Sequence, residues 1–353
     1  MRICIIGPVV TQLHTGGVAT FVESMADAFL LKGYETYILT NFADKAYTNG
    51  DVPIVSMKEK NKILYFYKTI AYLKAHPCDL IIGSTWYDMC LALNKNIPGK
   101  KIHYLHGFGV PNDGIVKALA IAFNDKIRSK RCMLVANSYF TKMINEIFFR
   151  TKVHAVIPIG ISPAFRSIGE IKPTQERQYD VIYIGRVRKN KGVDRIIKAI
   201  SYIDKKYGTE LNCLIVGDGP QVDEIKKLAL SLRVRVKFTG KVDIKDTINY
   251  YKDSKIFVSL DIKEPYGQTF AEALVCGCRV ICPTSGGQIE YLKEYPYFYK
   301  SVIVEDYQEI GESIHSLLKN NECIDNHKIY NQHSYERVVM NIINLIKQQV
   351  KIK

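Results

Sequence analysis

The sequence predicts an α/β protein built of two doubly wound parallel-sheet domains, and three observations predict it. Apolar runs of strand length recur along the chain, as in RICIIG at the start and KIFVSL at 255–260, each followed by a loop and then a segment with helical spacing. A polar, proline-containing stretch, Ser162 to Tyr179, interrupts this alternation and reads as an interdomain linker, after which the strand, loop and helix series restarts at Val181. The length of 353 residues suits two domains of ordinary size, and a hydrophobic content of 47% is ample for two packed cores.

In the first half, Met1 to Gly7 makes a strand, the loop Pro8 to Thr15 leads to Gly16 and Gly17, and Val18 to Leu31 has helical spacing ended by Gly33. Strand, loop, glycines and helix in that order suit the approach of a phosphate, although a lone Gly-Gly is weak evidence. A strand at Tyr37 to Thr40 and the segment Val52 to Val55 follow. Lys58 to His76 reads as a helix with Ile63, Phe66, Tyr67, Ile70 and Leu73 on an apolar face and with five lysines. Two readings of it stand, a helix lying on a membrane surface and an ordinary surface helix packed on the sheet. A strand (Asp79 to Gly83), the loop Ser84 to Tyr87 with the only tryptophan, and a strand His103 to His106 come next. The latter runs into Gly107-Phe108-Gly109, so the His106 imidazole is expected at the open edge of the sheet, a capping or core histidine being the alternative. Ile115 to Arg131 is a second basic helical stretch (Lys117, Lys126, Arg128, Lys130, Arg131), followed by a strand at Met133 to Ala136, a helix from Asn137-Ser138 and a strand at Val153 to Pro158.

In the second half, strands at Val181 to Ile184, Cys213 to Val216 and Val236 to Phe238 end in GRVRKNKG, GDGP and TGKV. The stretch 255–292 then makes a βαβα unit. Ile256 to Leu260 is a buried strand, a loop carries Glu264 and Pro265, a helix opens near Gly267, Arg279 to Cys282 is a strand, and Ser285-Gly286-Gly287 opens a further helix. Both loops fall on the edge where open α/β sheets bind ligands. Backbone N–H groups at Gly267, Gln268 and Thr269 can receive an anion, and Gln268 and Glu272, four apart, share a helix face. Arg186 and Lys191 flank a loop before a helix, so two fixed cations can converge on a diphosphate. Two carboxylates around a positively polarised helix start can hold hydroxyl-rich groups on either side of a phosphate, which is the shape of a nucleotide sugar. The alternative is a surface helix whose glutamates are solvated or complement the dipole.

The formal net charge of +14 asks for a partner: nucleic acid, an anionic membrane or a phosphorylated substrate. No recognised nucleic-acid-binding motif and no basic arm occur, which disfavours the first. Residues 1–165 hold 19 Lys+Arg and 11 Asp+Glu, so both halves share the excess. Nine cysteines, an odd number without paired spacing, read as reduced and buried, and Cys276, Cys278 and Cys282 as core packing. MRICIIG is a strand pattern rather than a signal peptide, and no apolar run is long enough to cross a membrane, so a cytoplasmic protein is expected. GxGxxG and Asp-x-Asp are both absent.

The string EPYGQTFAEAL, from Glu264 to Glu272 and beyond, resembles the glutamate, seven residues, glutamate signature of the retaining glycosyltransferases of family four, the glycosyl transferases group 1. GRVRKNKG is similar to that family's GR-then-KG pattern. The resemblance implies a GT-B fold, two Rossmann-like doubly wound domains facing a cleft, with residues 1–163 on the acceptor side, 164–334 binding the nucleotide sugar, and the closing helix Tyr335 to Lys353 returning to the first domain. It implies that Arg186 and Lys191 contact the donor phosphates, that Glu264 binds donor sugar hydroxyls and Glu272 the ribose, and that His106 lies near the donor sugar. Gly16, Gly17, Val242, Gly267, Gln268 and Thr269 complete the expected donor site. VIPIGISPAF is similar to the family's segment closing the first domain, but Ile159 and Ser162 stand in place of its usual polar pair.

The resemblance further implies transfer with retained anomeric configuration from a UDP- or GDP-sugar to a glycan or lipid-linked acceptor in cell-surface polysaccharide or glycoconjugate synthesis. Arg186, Lys191 and the helix start would replace a metal ion, and no cofactor is expected. An anionic membrane surface is a candidate partner, because the basic stretches 58–76 and 117–131 lie in the acceptor half. A GT-B epimerase or phosphorylase, and a nucleotide-binding protein without turnover, remain the alternatives.

Overall fold

A computed structural model describes residues 1–11, 16–43, 51–108, 115–320, 322 and 325–350 of the chain. They form two compact units, Met1–Pro163 with His333–Lys353 and Ala164–Gln332.

Unit 1 contains β1 (Arg2–Ile6), α1 (Gly17–Leu31), β2 (Glu35–Thr40), β3 (Ile54–Ser56), α2 (Lys62–Ala75), β4 (Leu80–Ser84), α3 (Met89–Leu93), β5 (Lys100–Leu105), α4 (Ile115–Arg128), β6 (Met133–Ala136), α5 (Tyr139–Phe149) and β7 (Ala155–Val156). The strands make one sheet in the order β3-β2-β1-β4-β5-β6-β7, every pair parallel. Ile3, Ile5, Leu80, Ile82 and Leu134 are buried, as expected of strands covered on both faces. The order reverses between β1 and β4, the switch point at which such sheets open a crevice beyond their strand ends. Right-handed crossovers put α1 on one face of the sheet and α2 to α5 on the other. Accordingly α2 packs on α3, α3 on α4 and α4 on α5.

Unit 2 contains β8 (Tyr179–Ile184), α6 (Val193–Tyr207), β9 (Asn212–Val216), α7 (Val222–Leu232), β10 (Arg235–Gly240), α8 (Ile244–Lys252), β11 (Ser254–Val258), α9 (Gln268–Val275), β12 (Arg279–Pro283), α10 (Ile289–Leu292), β13 (Tyr299–Val302), α11 (Tyr307–Leu318) and α12 (Asn326–Gln332). Its parallel sheet has the order β10-β9-β8-β11-β12-β13, reversing between β8 and β11. The core joins Val181, Ile196, Ile200, Ile215, Ile256, Val258, Ile281 and Ile310. The last helix, α13 (Tyr335–Val350), belongs to unit 1 and packs on α1. Ile161 bridges Ser334 and its N–H donates to the His333 carbonyl at 2.7 Å. A Cβ at Gly160 would stand 2.6 Å from the Tyr335 backbone nitrogen, so only glycine allows this approach.

Two expectations need correction. The stretch 162–179 is not a plain polar linker, because Phe165, Ile168 and Arg177 are buried. The Arg177 guanidinium donates to the carbonyls of Ser254 and Gly277 at 2.8 and 2.9 Å, stapling the stretch to unit 2. The inward face of α2 is Tyr65, Thr69 and Leu73, with Phe66 and Ile70 half-buried beside it, while Ile63 and Tyr67 are 68% and 72% exposed. Apolar side chains ring this helix, so its period does not single out one face. Eight cysteines, Cys276, Cys278 and Cys282 among them, are buried and free; Cys323 lies outside the described residues.

Candidate active site

At the loop edge of unit 2 two glycine turns lock together. Gly185 N–H donates to the Val216 carbonyl at 2.9 Å and Val187 N–H to that of Asp218 at 3.0 Å. A Cβ at Gly217 or Gly219 would stand 2.0 or 2.2 Å from the carbonyl oxygens of Gly185 and Val187, so the GRV and GDG turns lie backbone against backbone. Tyr183 Oη donates to the Arg186 carbonyl at 2.9 Å from below, and the Arg186 side chain is left exposed, with no ion pair among the described residues. Arg188 and Lys189 are exposed too.

Lys191 ends a short 3-10 turn, and Gly192, at φ +67°, redirects the chain into α6. Its ammonium is half-buried, 2.8 Å from Asp261 Oδ2 and 3.3 Å from Glu264 Oε2. Burial by itself disfavours the charge, but the Glu264 and Asp261 carboxylates outweigh it and hold the pKa above the ordinary lysine value. Lys191, expected on the donor phosphates, and Glu264, expected on the donor sugar, are therefore paired with each other.

Gly267, at φ +82°, caps the N-terminus of α9 in the left-handed region that favours glycine, and a Cβ there would stand 2.8 Å from Gln288. Tyr291 Oη donates to its carbonyl at 2.6 Å, and Gly287 N–H donates to the Glu264 carbonyl at 2.9 Å. These bonds hold the loop before α9 against the SGG turn. Gln268 and Thr269 begin the helix half-buried, and Glu272 follows one turn on, 7% exposed. Burial alone pushes its carboxyl up to about 8, which keeps it protonated at neutral pH. Val242 is half-buried between β10 and α8.

In unit 1, Gly16 caps α1 with φ −91°, and among the described residues a Cβ at Gly16 or Gly17 would meet no atom within 4 Å. Neither backbone strain nor packing asks for glycine there. Residues 12–15, in the loop before them, lie outside the described residues, as does Gly109. His106 follows the end of β5. Its ring packs edge-on against Phe21 at 4.4 Å, and its Nε2 is buried with no hydrogen-bond partner among the described residues. Burial, aided by the nearby His103, pulls its pKa down to about 3, so the imidazole is neutral. Asn137 Nδ2 donates to the His106 carbonyl at 3.2 Å and Asn145 Nδ2 to that of Gly107 at 3.3 Å.

Asn145 explains an unusual helix. α5 buries Thr141 and Asn145 and exposes Tyr139, Met143, Ile147 and Phe148. α4 does likewise, burying Asp125 and Arg128 and exposing Val116, Leu119 and Phe123. Arg128 bonds to Asp88 at 3.1 Å and Asp125 at 2.8 Å, and His103 Nδ1 bonds to Asp88, all four buried. Arg128 therefore does not belong to a basic outer face, contrary to the sequence reading. With Ile63, Leu64 and Tyr67 of α2, the layer α2 to α5 presents apolar side chains outward, among the exposed Lys60, Lys62, Lys68, Lys126 and Lys130. Lys68 is paired with Glu59.

Sequence reasoning missed Asp261, Asn137, Asn145 and the buried Asp88, His103, Asp125 and Arg128 group. Asp261 carried a signal, a carboxylate three residues before Glu264 at a strand end. The group in unit 1 carried none, because its members come from three separate elements.

Two Rossmann-like domains, each with a parallel sheet between helices and a reversal of strand order, define a GT-B protein. Residues 165–336 match the family described as glycosyl transferases group 1, and the chain belongs to that family. It is 30% identical to an uncharacterized glycosyltransferase of Methanocaldococcus jannaschii, over 67% of this chain and 62% of that one. It is 23% identical to the alpha-monoglucosyldiacylglycerol synthase of Streptococcus pneumoniae, over 76% of this chain and 68% of that one. The chain thus spans 62% and 68% of these two relatives. Among solved structures, HepE of Anabaena in complex with UDP shares the fold with a TM-score of 0.73 at 18% identity, over 99% of this chain and 100% of that one.

Proposed function

We propose that the protein is a retaining glycosyltransferase moving a sugar from a UDP- or GDP-sugar to a hydroxyl of a glycan or lipid-linked glycan, in cell-surface polysaccharide or glycoconjugate synthesis. The observation that carries this reading is the edge of unit 2, where Arg186, Lys191 and the start of α9 supply positive potential between two carboxyls of unlike surroundings. Glu264 is charge-paired and half-exposed, suited to sugar hydroxyls. Glu272 is buried and has no charged partner among the described residues, suited to the ribose. In the reaction the acceptor oxygen bonds to the anomeric carbon on the face that the leaving group vacates. The bond from that carbon to the phosphate oxygen breaks with its electron pair, and the acceptor proton passes to the departing phosphate. Arg186, Lys191 and the first amides of α9 stabilise the charge that develops there. Val242 is proposed as a further donor contact. Gly16 and Gly17 are proposed for the donor phosphates, and the neutral His106 imidazole for the donor sugar.

The proposed place of work is the cytoplasmic face of an anionic membrane. The outward residues of α2, α4 and α5 combine apolar insertion with lysines, each contributing about 1 kcal/mol near an anionic leaflet. The relative named for a diacylglycerol glycolipid supports an acceptor of that kind. Among the described residues no helix is long and apolar enough to cross a membrane.

Incubation with a panel of UDP- and GDP-sugars tests the reading. Slow release of free nucleotide, undiminished by a chelator, is expected, and product NMR should show the donor's anomeric configuration. Binding without release would identify a nucleotide-binding protein instead. Loss with chelator and recovery with magnesium or manganese would put a metal where the cations are proposed to act.

A further inference from the structure

We propose that Asp261 is a counter-anion that competes with the donor's diphosphate for Lys191 and thereby hastens departure of the nucleoside diphosphate product. This rests on the donor site proposed above. One ammonium here faces two carboxylates, at 2.8 Å (Asp261) and 3.3 Å (Glu264), so the group carries one negative charge more than the pairing needs. The two carboxylates differ in freedom. Asp261 is 7% exposed, its Oδ1 accepts the Lys263 N–H at 3.0 Å, and its Oδ2 accepts Asn190 Nδ2 at 3.0 Å. Glu264 is less buried, and Lys191 is its one side-chain partner among the described residues. The loops are also pressed together, since a Cβ at Gly192 would lie 2.8 Å from the Leu260 Cβ. Asp261 is therefore fixed, and the flexible Lys191 stem is the part that moves.

When a diphosphate takes Lys191, a buried carboxylate loses part of its compensation and stands beside a new anion, a cost borne by the bound state alone. An intact donor offsets that cost through its sugar hydroxyls on Glu264. After transfer the sugar is gone, and the nucleoside diphosphate competes with Asp261 unaided. Asp261 is thus a positioning residue that acts through Lys191, and its effect appears in product release, a step that often limits turnover.

The test compares wild type, Asp261→Asn, Lys191→Ala and the double variant by calorimetric titration with UDP and GDP. Asn keeps an acceptor for the Lys263 N–H and removes the charge. Asp261→Asn should bind the nucleotide about fivefold more tightly, with slower product release; a merely structural role would weaken binding. In the Lys191→Ala background the gain should vanish. Equal or weaker binding by Asp261→Asn, or the same gain without Lys191, overturns the proposal. A measurement without nucleotide separates its failure from that of the functional reading. Acetic anhydride should label Lys191 faster in Asp261→Asn, because the ammonium loses a carboxylate. Unchanged labelling means that Asp261 does not hold Lys191, whereas normal acceleration with no binding of either nucleotide means that the donor site is wrong.

Discussion

Helices α5 and α6 are both amphipathic, yet they turn opposite sides to their sheets. In unit 2, α6 sends Val193, Ile196, Ile197, Ile200 and Ile203 into the core and leaves Lys198, Lys205 and Lys206 outside. In unit 1, α5 sends Thr141 and Asn145 inward and leaves Tyr139, Met143, Ile147 and Phe148 outside. A helical period says that two sides differ, and hydrophobicity normally decides which is buried. In α5 the decision falls to Asn145, whose bond to the Gly107 carbonyl is part of the support for the loop carrying His106. Unit 2 exposes apolar side chains such as Leu230 and Tyr297 singly, whereas unit 1 gathers most of its exposed ones on α2, α4 and α5.

Substitutions can break that contrast, and the largest effect is expected where α4 is turned. Arg128→Ala leaves Asp88 and Asp125 buried without their guanidinium and should cost about 3 to 5 kcal/mol in denaturant unfolding. Lys206→Ala in unit 2, which removes the exposed pair with Glu312, should change little. Equal, small effects would mean that the buried network does not orient α4.

Next in size is the chemistry assigned to unit 2. Lys191→Ala and Arg186→Ala should each lower turnover by about 2 to 4 kcal/mol of transition-state stabilisation, with vesicle binding intact. Normal turnover in both would remove the proposed phosphate site. The reverse pattern is expected for unit 1. Ile147→Asp with Phe148→Asp, or Lys60, Lys62 and Lys68 changed to Glu, should weaken cosedimentation with anionic vesicles on the order of tenfold while nucleotide release continues. Absence of wild-type binding at low salt would make the outward face an ordinary solvated one.

The smallest difference separates the two glutamates. Glu272→Ala should weaken binding of the bare nucleoside diphosphate, and Glu264→Ala should spare it while harming the intact donor. Stability against pH offers a second measure. Glu272 titrates near 8 when folded against an ordinary 4.5, so the folded state holds a proton that the unfolded chain releases. Stability from this group is full below about 4.5, falls as pH rises and levels off above about 8. Glu272→Gln should lack that decline, and parallel curves for the two proteins would refute the shift.

The alternation of strands and helices, the restart near 180 and the Glu264 to Glu272 unit could all be read from the sequence, because each is a local pattern. The direction of α5 could not, because Asn145 acts on Gly107, 38 residues away. β13 escaped notice because Lys300 and Ser301 are both exposed on an edge strand, which removes the alternation that marks a half-buried one. Ser162 to Tyr179 looked like a linker because its anchors, Phe165, Ile168 and Arg177, lie scattered among prolines and charges. Of the candidate site, residue types and order were legible, while the pairing of Lys191 with Asp261 and Glu264 was not, since it needs two loops 70 residues apart to meet.

Burial raises the Glu272 carboxyl to about 8, so the protein stores a proton there at neutral pH. On the proposal that Glu272 holds the ribose, its carboxylate would accept from both hydroxyls once ionised, and nucleotide binding at neutral pH is then predicted to expel a proton into the buffer. The heat measured will then include the ionisation enthalpy of that buffer, and titrations in Tris and in phosphate will disagree by that amount for each mole bound. In Glu272→Gln the two buffers will agree, so a calorimeter can count the proton without any assay of transfer.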